Sequence, residues 1–175
     1  MLQSTAMKCD LQPLLTGKLV ELRPLGQEDE KALFEVASDP LIWEQHPVRD
    51  RYRPEVFARF FRESLNSGGA LVILDRRDGR VIGSSRFHGY NELASEIEIG
   101  WTFLARSHWG GTYNREVKQL MIQHALRFVK RVVFLIGAQN IRSQRAIEKI
   151  GAVRVGQRRD AAGRDSYLYE ITTVP

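Results

Sequence analysis

The chain has 175 residues, 43% of them apolar and 27% charged, a composition that suits one folded domain with a sizeable core and excludes a disordered chain. Its longest apolar run, 132–136, is far too short to cross a bilayer, and the single cysteine, Cys9, excludes an internal disulfide and most metal clusters. The net charge is +5, and Arg142, Arg145, Lys149, Arg154, Arg158, Arg159 and Arg164 crowd the last third. They form either a solvated surface or one that meets a nucleotide phosphate, RNA or an acidic partner.

Residues 1–16 lack periodicity and read as a flexible leader ahead of a single domain over 17–175. Lys8 and Asp10 lie among polar residues with no apolar signal core, which predicts a cytoplasmic protein. Residues 18–25 alternate as a strand. A helix over 27–37 places Ala32, Leu33, Val36 and Ala37 on one stripe, and Asp39-Pro40 ends it, because the residue before proline is pushed away from helical angles. A polar-aromatic loop over 40–52 precedes a second helix that starts at Pro54. That helix carries Val56, Phe57, Phe60, Phe61 and Leu65 at helical spacing and stops at Ser67-Gly68-Gly69.

Two strands over 70–74 and 80–90 are joined by Asp78-Gly79, a hairpin turn pair. Residues 96–104 alternate cleanly, so Ile97, Ile99, Trp101 and Phe103 are expected on one face and Glu96, Glu98, Gly100 and Thr102 on the other. Val117, Leu120, Met121, His124 and Phe128 form the stripe of a long helix over 112–129, in which His124 reads as a packed core residue. Residues 131–136 lack alternation, as expected of a strand covered on both faces. A helix over 140–150 closes at Gly151, a good left-handed cap. Strands near 152–157 and 166–172, around a polar turn at 160–165, finish the chain.

At the junction of the alternating strand and the long helix stand Trp109-Gly110-Gly111-Thr112-Tyr113-Asn114. The two glycines let backbone N–H groups converge on an anion, and the positive helix end adds its field; a plain tight turn has the same residues. Further on come Asn140-Ile141-Arg142-Ser143 and then Ala146-Ile147-Glu148-Lys149-Ile150-Gly151. Asn140 also suits a helix N-cap, and Ser143 shares a stripe with Ala146, Ile147 and Ile150.

The stretch 95–151 resembles the acyl-CoA-binding core of the GCN5-related N-acetyltransferases, most nearly the RimJ/RimL-like subgroup that acetylates ribosomal-protein N-termini. The resemblance extends over about 17–172. It implies an α/β fold with a mixed, mostly antiparallel central sheet flanked by helices. Two parallel strands, near 98–104 and 132–137, would splay apart to admit CoA, with Trp101 and Phe103 on the first of them. Trp109, Gly110, Gly111, Thr112, Tyr113 and Asn114 would hold the pyrophosphate. Trp109, Thr112 and Asn114 depart from the family's Gln or Arg, Gly, and Gly or Ala, and the Cβ atoms at 112 and 114 narrow the approach. Asn140 would touch the pantetheine arm, Ser143 would give a proton to the sulfur, and Arg142 and Arg145 would reach the adenosine 3′-phosphate.

Acetyl transfer needs a neutral amine, so a base helps. The resemblance puts Glu98 in register with the family's catalytic glutamate, with Glu96 second. His88 and Tyr90, with Trp43 and His46 from the 40–52 loop, would line an acceptor pocket. Aromatics and the Glu44 carboxylate there suit a cationic amine, either a small molecule or a peptide N-terminus. Cys9 lies in the leader and makes a poor nucleophile, which favours direct transfer from acetyl-CoA in a ternary complex. The family admits homodimers, and no residue specifies one. A non-catalytic CoA-binding module, or a ribosome- or RNA-associated protein acting through the basic last third, are the other readings.

Overall fold

The computed structural model describes residues 8–175. Among them eight strands form one sheet: β1 (Leu15–Thr16), β2 (Val20–Pro24), β3 (Ala70–Asp75), β4 (Val81–Asn91), β5 (Glu96–Leu104), β6 (Arg131–Ile136), β7 (Val153–Arg159) and β8 (Asp165–Ile171). Their order is β1-β2-β3-β4-β5-β6-β8-β7. Every neighbouring pair is antiparallel except β5 and β6, which run parallel. Within the described residues four α-helices flank the sheet: α1 (Glu30–Ala37), α2 (Pro54–Asn66), α3 (Thr112–Ala125) and α4 (Ile141–Glu148). Among the described residues no helix is long and apolar enough to cross a membrane.

The two faces of the sheet carry separate cores. On one, Leu22, Ile73, Ile97, Ile99, Val132 and Phe134 pack against Val117, Met121, Ile122 and Ala125 of α3 and Ile147 of α4. On the other, Leu33, Phe57, Phe60 and Phe61 of α1 and α2 pack against Val72, Phe103 and Trp43. Each fully buried side chain of this kind contributes about 1.5–3 kcal/mol. Pro54 opens α2 at its first turn, where a missing N–H costs nothing. Gly151 follows α4 at φ 94°.

The expected flexible leader is corrected in part. Residues 1–7 lie outside the described residues, but 8–16 pack onto the domain. Cys9 is buried, β1 pairs with β2, and the Asp10 carbonyl meets His124 Nε2 at 2.7 Å. Burial also pushes the Cys9 thiol up to about 11. The long helix ends at Ala125 rather than 129, because the N–H groups of Lys130 and Arg131 both turn to the Ser95 carbonyl and start β6 beside β5.

The clean alternation of 96–104 is also corrected. Pairing of β4 with β5 shifts register between Ser84 and Arg86, and Trp101 takes φ 53°. This bulge reverses the faces. Ile97 and Ile99 face α3, while Trp101 and Phe103 join the core beneath α1 and α2. A second irregularity, between His88 and Asn91 with Gly89 at φ 62°, does the same on β4.

Candidate active site

β5 and β6 are paired only over Glu96↔Arg131, Ile97↔Val132 and Glu98↔Val133. Beyond Glu98 the two strands part, as the expected splay requires, and the edge of β5 from Gly100 onward is left without a strand partner on that side. Backbone groups on such an edge are free to pair with amides of a ligand.

Glu98 stands at the last position of β5 that pairs with β6, opposite His88 of β4. Its side chain is half-buried, and burial, reinforced by Asp160 and opposed by Arg158 and Arg86, raises its carboxyl to about 7. Glu96 is different. Arg131 Nη2 and Arg158 Nη1 each lie 2.6 Å from its carboxylate, and the Arg158 hydrogen bond chiefly holds it below the ordinary range. Its oxygens are engaged by two guanidinium groups, so it is a structural anion that does not suit the base role.

The glycine turn is open. Gly110 and Gly111 have φ of 107° and 105°, and apart from their own chain neighbours no atom of the described residues stands within 4 Å of where their Cβ atoms would be. The N–H of Arg115 is the first of α3 to find a helical carbonyl, that of Gly111, and no side chain caps the helix start. The N–H groups of Thr112, Tyr113 and Asn114 therefore have no intrahelical or side-chain partner among the described residues, an arrangement that fits a pyrophosphate. Asp75, at the end of β3, fixes both flanks of this turn. Its carboxylate accepts from Arg77, from His108 Nε2 at 2.9 Å and from the Tyr113 hydroxyl at 3.3 Å.

On the neighbouring helix, Asn140 Oδ1 accepts the Ser143 N–H at 3.2 Å, so Asn140 caps α4. Arg142 has partners of its own within the fold. It donates to the Ile42 carbonyl at 2.8 Å, and its guanidinium lies 4.2 Å from the centroid of the Trp109 ring. Trp109 in turn donates Nε1–H to the Leu104 carbonyl. These two residues tie α4 to the Pro40–Trp43 3₁₀ turn and to β5, which leaves Arg145 as an exposed cation of α4.

The acceptor side also departs from expectation. Tyr90 packs on the α3 face, away from His88, because of the irregularity at Gly89. Trp43 and Phe103 are core residues 5.0 Å apart, and Trp43 donates to the Ala37 carbonyl. Their side chains do not line a site. His88 stacks edge-on to Trp101 at 5.0 Å beside Glu98, and His46 is half-buried near Arg51. Sequence reasoning missed Arg51 and Arg86, both buried on this side. Arg86 had a faint signal, since it shares a strand face with His88; Arg51, in an irregular loop, had none.

A sheet that opens between two parallel strands, a glycine turn at a helix start beside the opening, and a half-buried glutamate at the fork define an acyl-CoA N-acyltransferase fold. The model of the acetyltransferase (GNAT) domain matches residues 20–153. The chain belongs to the GNAT acetyltransferase family, and it is an N-acetyltransferase. A protein from T. thermophilus described as an acetyltransferase is 28% identical, with a TM-score of 0.72 over 91% of this chain and 88% of that one. A GCN5-related N-acetyltransferase from Brucella melitensis shares the fold at 19% identity and a TM-score of 0.79, over 98% of this chain and 84% of that one. So does RimJ from Mycobacterium smegmatis, solved with CoA-disulfide, at 20% identity and a TM-score of 0.67, over 87% and 81%. No curated protein matches the sequence.

Proposed function

We propose that the protein moves the acetyl group of acetyl-CoA to a primary amine by direct attack in a ternary complex, with Glu98 as the base. The observation that carries this reading is the place of Glu98 at the fork of β5 and β6, half-buried and with its carboxyl raised to about 7. A base of that strength divides between its two forms at neutral pH, the condition that suits general catalysis best. Glu98 takes a proton from the amine nitrogen, directly or through one water. N–H groups on the free edge of β5 oppose negative charge on the carbonyl oxygen, and Ser143 supplies a proton to the departing sulfur.

Acetyl-CoA supplies the activated acetyl thioester. The N–H groups of Thr112, Tyr113 and Asn114 would hold its pyrophosphate, Asn140 its pantetheine arm and Arg145 its 3′-phosphate. The open space over Gly110 and Gly111 supports this assignment.

Thermal shift with saturating acetyl-CoA, followed by CoA-thiol release over a panel of amines, tests the reading. Ligand at about 100 times its Kd stabilises by ~2.7 kcal/mol, a rise of roughly 5–10 °C for a domain this size. Absence of a shift at millimolar acetyl-CoA overturns the cofactor assignment. A shift without turnover on any amine leaves a CoA-binding module.

A further inference from the structure

Two arginines are buried without an anion on the acceptor side of Glu98. Arg51 follows the loop after the Pro40–Trp43 turn and Arg86 lies on β4; they are 7% and 6% exposed. Their guanidinium carbons lie 4.2 and 6.0 Å from the centroid of the same ring, Phe60. Arg86 also stacks on Trp101 at 4.3 Å, and Arg51 lies 5.0 Å from the Trp43 ring. Each guanidinium has five N–H donors, and few are used. Arg86 donates to Ser64 Oγ at 2.6 Å, while the Nε of both arginines is buried with no partner among the described residues. The ion pairs among the described residues include neither. Glu63, Asp50 and Glu98 act on them only from a distance, and burial lowers both guanidinium groups to about 10.

His46 adds an independent sign. Its Nδ1 accepts the Val48 N–H at 2.9 Å, so the ring hydrogen sits on Nε2, the atom that faces Arg51 Nη1 at 3.3 Å. Two donors therefore meet head to head. Burial and the Arg51 charge push the imidazole down to about 3, which keeps it neutral. The buried Nε donors of Arg51 and Arg86, which have no acceptor among the described residues, are costly unless an anion joins them, and a carboxylate matches the guanidinium fork.

We propose that Arg51, Arg86 and His46 bind a carboxylate of the acceptor, which makes the acceptor an amino acid rather than a simple cationic amine. The inference rests on the reading of Glu98 as base. On the paired strands Arg86 lies opposite Gly100 and His88 opposite Glu98, so Arg86 and Glu98 are diagonal neighbours, which sets the two subsites side by side: the amine goes to Glu98 and the carboxylate to the arginines. This reverses the expectation of a pocket tuned to a cation alone.

The test compares L-amino acids with their carboxamides and decarboxylated amines, by CoA-thiol release and by thermal shift in the presence of CoA. The best acids should exceed their amides by at least about tenfold in kcat/KM. R86Q and R51Q should erase that preference while keeping the acetyl-CoA thermal shift of the unaltered protein. Amides acetylated as fast as acids would overturn the proposal, as would variants that slow acids and amides alike. If no amine is acetylated, a larger thermal shift with acids than with amides still upholds the carboxylate subsite and removes only the catalytic reading. Equal shifts, or none, overturn the subsite. Acetate or inorganic phosphate that reproduces the whole shift would mean a site for free anions and would also overturn it. The comparison on the unaltered protein stands even where a variant fails to fold.

Discussion

Glu116 and Gly17 fit together so closely that a Cβ at position 17 would stand 2.5 Å from the Glu116 carboxyl carbon. Glu116 lies on α3, and its carboxylate accepts the N–H groups of Lys18, Leu19 and Val20 at 2.9, 2.7 and 2.9 Å. The helix that begins at the glycine turn is thereby pinned to the start of β2. G17A should displace the carboxylate, and E116Q should weaken the charge-assisted bonds by about 2 kcal/mol. Both should lower the melting temperature, E116Q by roughly 4–8 °C. A G17A protein that melts like the parent would show that the carboxylate moves aside at no cost.

Asp75 joins stability to the glycine turn. The rings of His108 and Tyr113, which meet edge-on at 4.7 Å, stand on either side of Gly110-Gly111 and both reach the Asp75 carboxylate. The Arg77 hydrogen bond, followed by the Arg77 N–H and His108, holds that carboxyl well below its ordinary value, against the opposing effect of burial. A depressed folded pKa contributes stability that is present above the unfolded value of about 4 and is lost as pH falls below it. D75N should cost about 3 kcal/mol, flatten the acid limb of the stability curve, and raise the KM for acetyl-CoA more than it lowers kcat. Loss of stability with an unchanged KM would confine Asp75 to a structural role.

The sheet, the long helix and the glycine turn were legible because each leaves a local signature. Alternation gave β5, a 3.6-residue stripe gave α3, and paired glycines marked the turn. The faces within the strands were not legible. The bulge at Trp101 arises from the way β4 pairs with β5, and nothing in Gly100-Trp101-Thr102 announces it. Partners distant in sequence were hidden for the same reason. Arg158 neutralises Glu96 from 62 residues away, so two adjacent carboxylates that look equivalent in the chain have opposite surroundings in the fold. Burial of Arg51 and Arg86 was hidden as well, because burial of a cation without a partner contradicts the usual sorting of residues.

Asn140 has a cap that can be separated from any cofactor contact. Its side chain accepts the Ser143 N–H, and Ser is as good an N-cap as Asn. N140S should keep the melting temperature, while N140A should lose about 1 kcal/mol. A rise in the KM for acetyl-CoA in N140S would establish a contact with the pantetheine arm. A KM that rises only in N140A, together with its loss of stability, would leave the cap as the whole role.

Glu98 should leave a mark on both rate and stability. Only the ionised carboxylate takes a proton, so kcat/KM should rise with pH through about 7, the value to which burial lifts it. E98Q should abolish that limb and lower kcat/KM by about 100-fold at pH 7, and by less at pH 9, where more of the amine is already neutral. Its raised folded pKa means that the folded state binds more protons than the unfolded one between about 4.5 and 7. Stability therefore falls as pH rises through that window. E98Q should melt above the parent at pH 8 and level with it at pH 4. A pH-independent loss of rate would remove Glu98 from the base role.

Lys118 is buried on α3, and its ammonium donates to Thr102 Oγ1 of β5 while lying 5.7 Å from the centroid of the Phe134 ring on β6. Thr102 shares a further hydrogen bond with Ser85 Oγ at 2.7 Å. The lysine thus lies against both strands beyond the point where they part, and no carboxylate pairs with it among the described residues. Burial lowers it from 10.5 to about 7. Between those values the unfolded chain binds more protons than the folded one, so stability rises with pH across the window, and the full cost of burying the charge is present below it. K118M keeps the volume and removes the charge. It should stabilise the protein most near pH 6, with the gain shrinking as pH approaches 10, measured by urea denaturation at each pH. A gain that is the same at every pH would mean that Nζ carries the same charge folded and unfolded, and that the hydrogen bond to Thr102 is enough to keep a buried ammonium protonated.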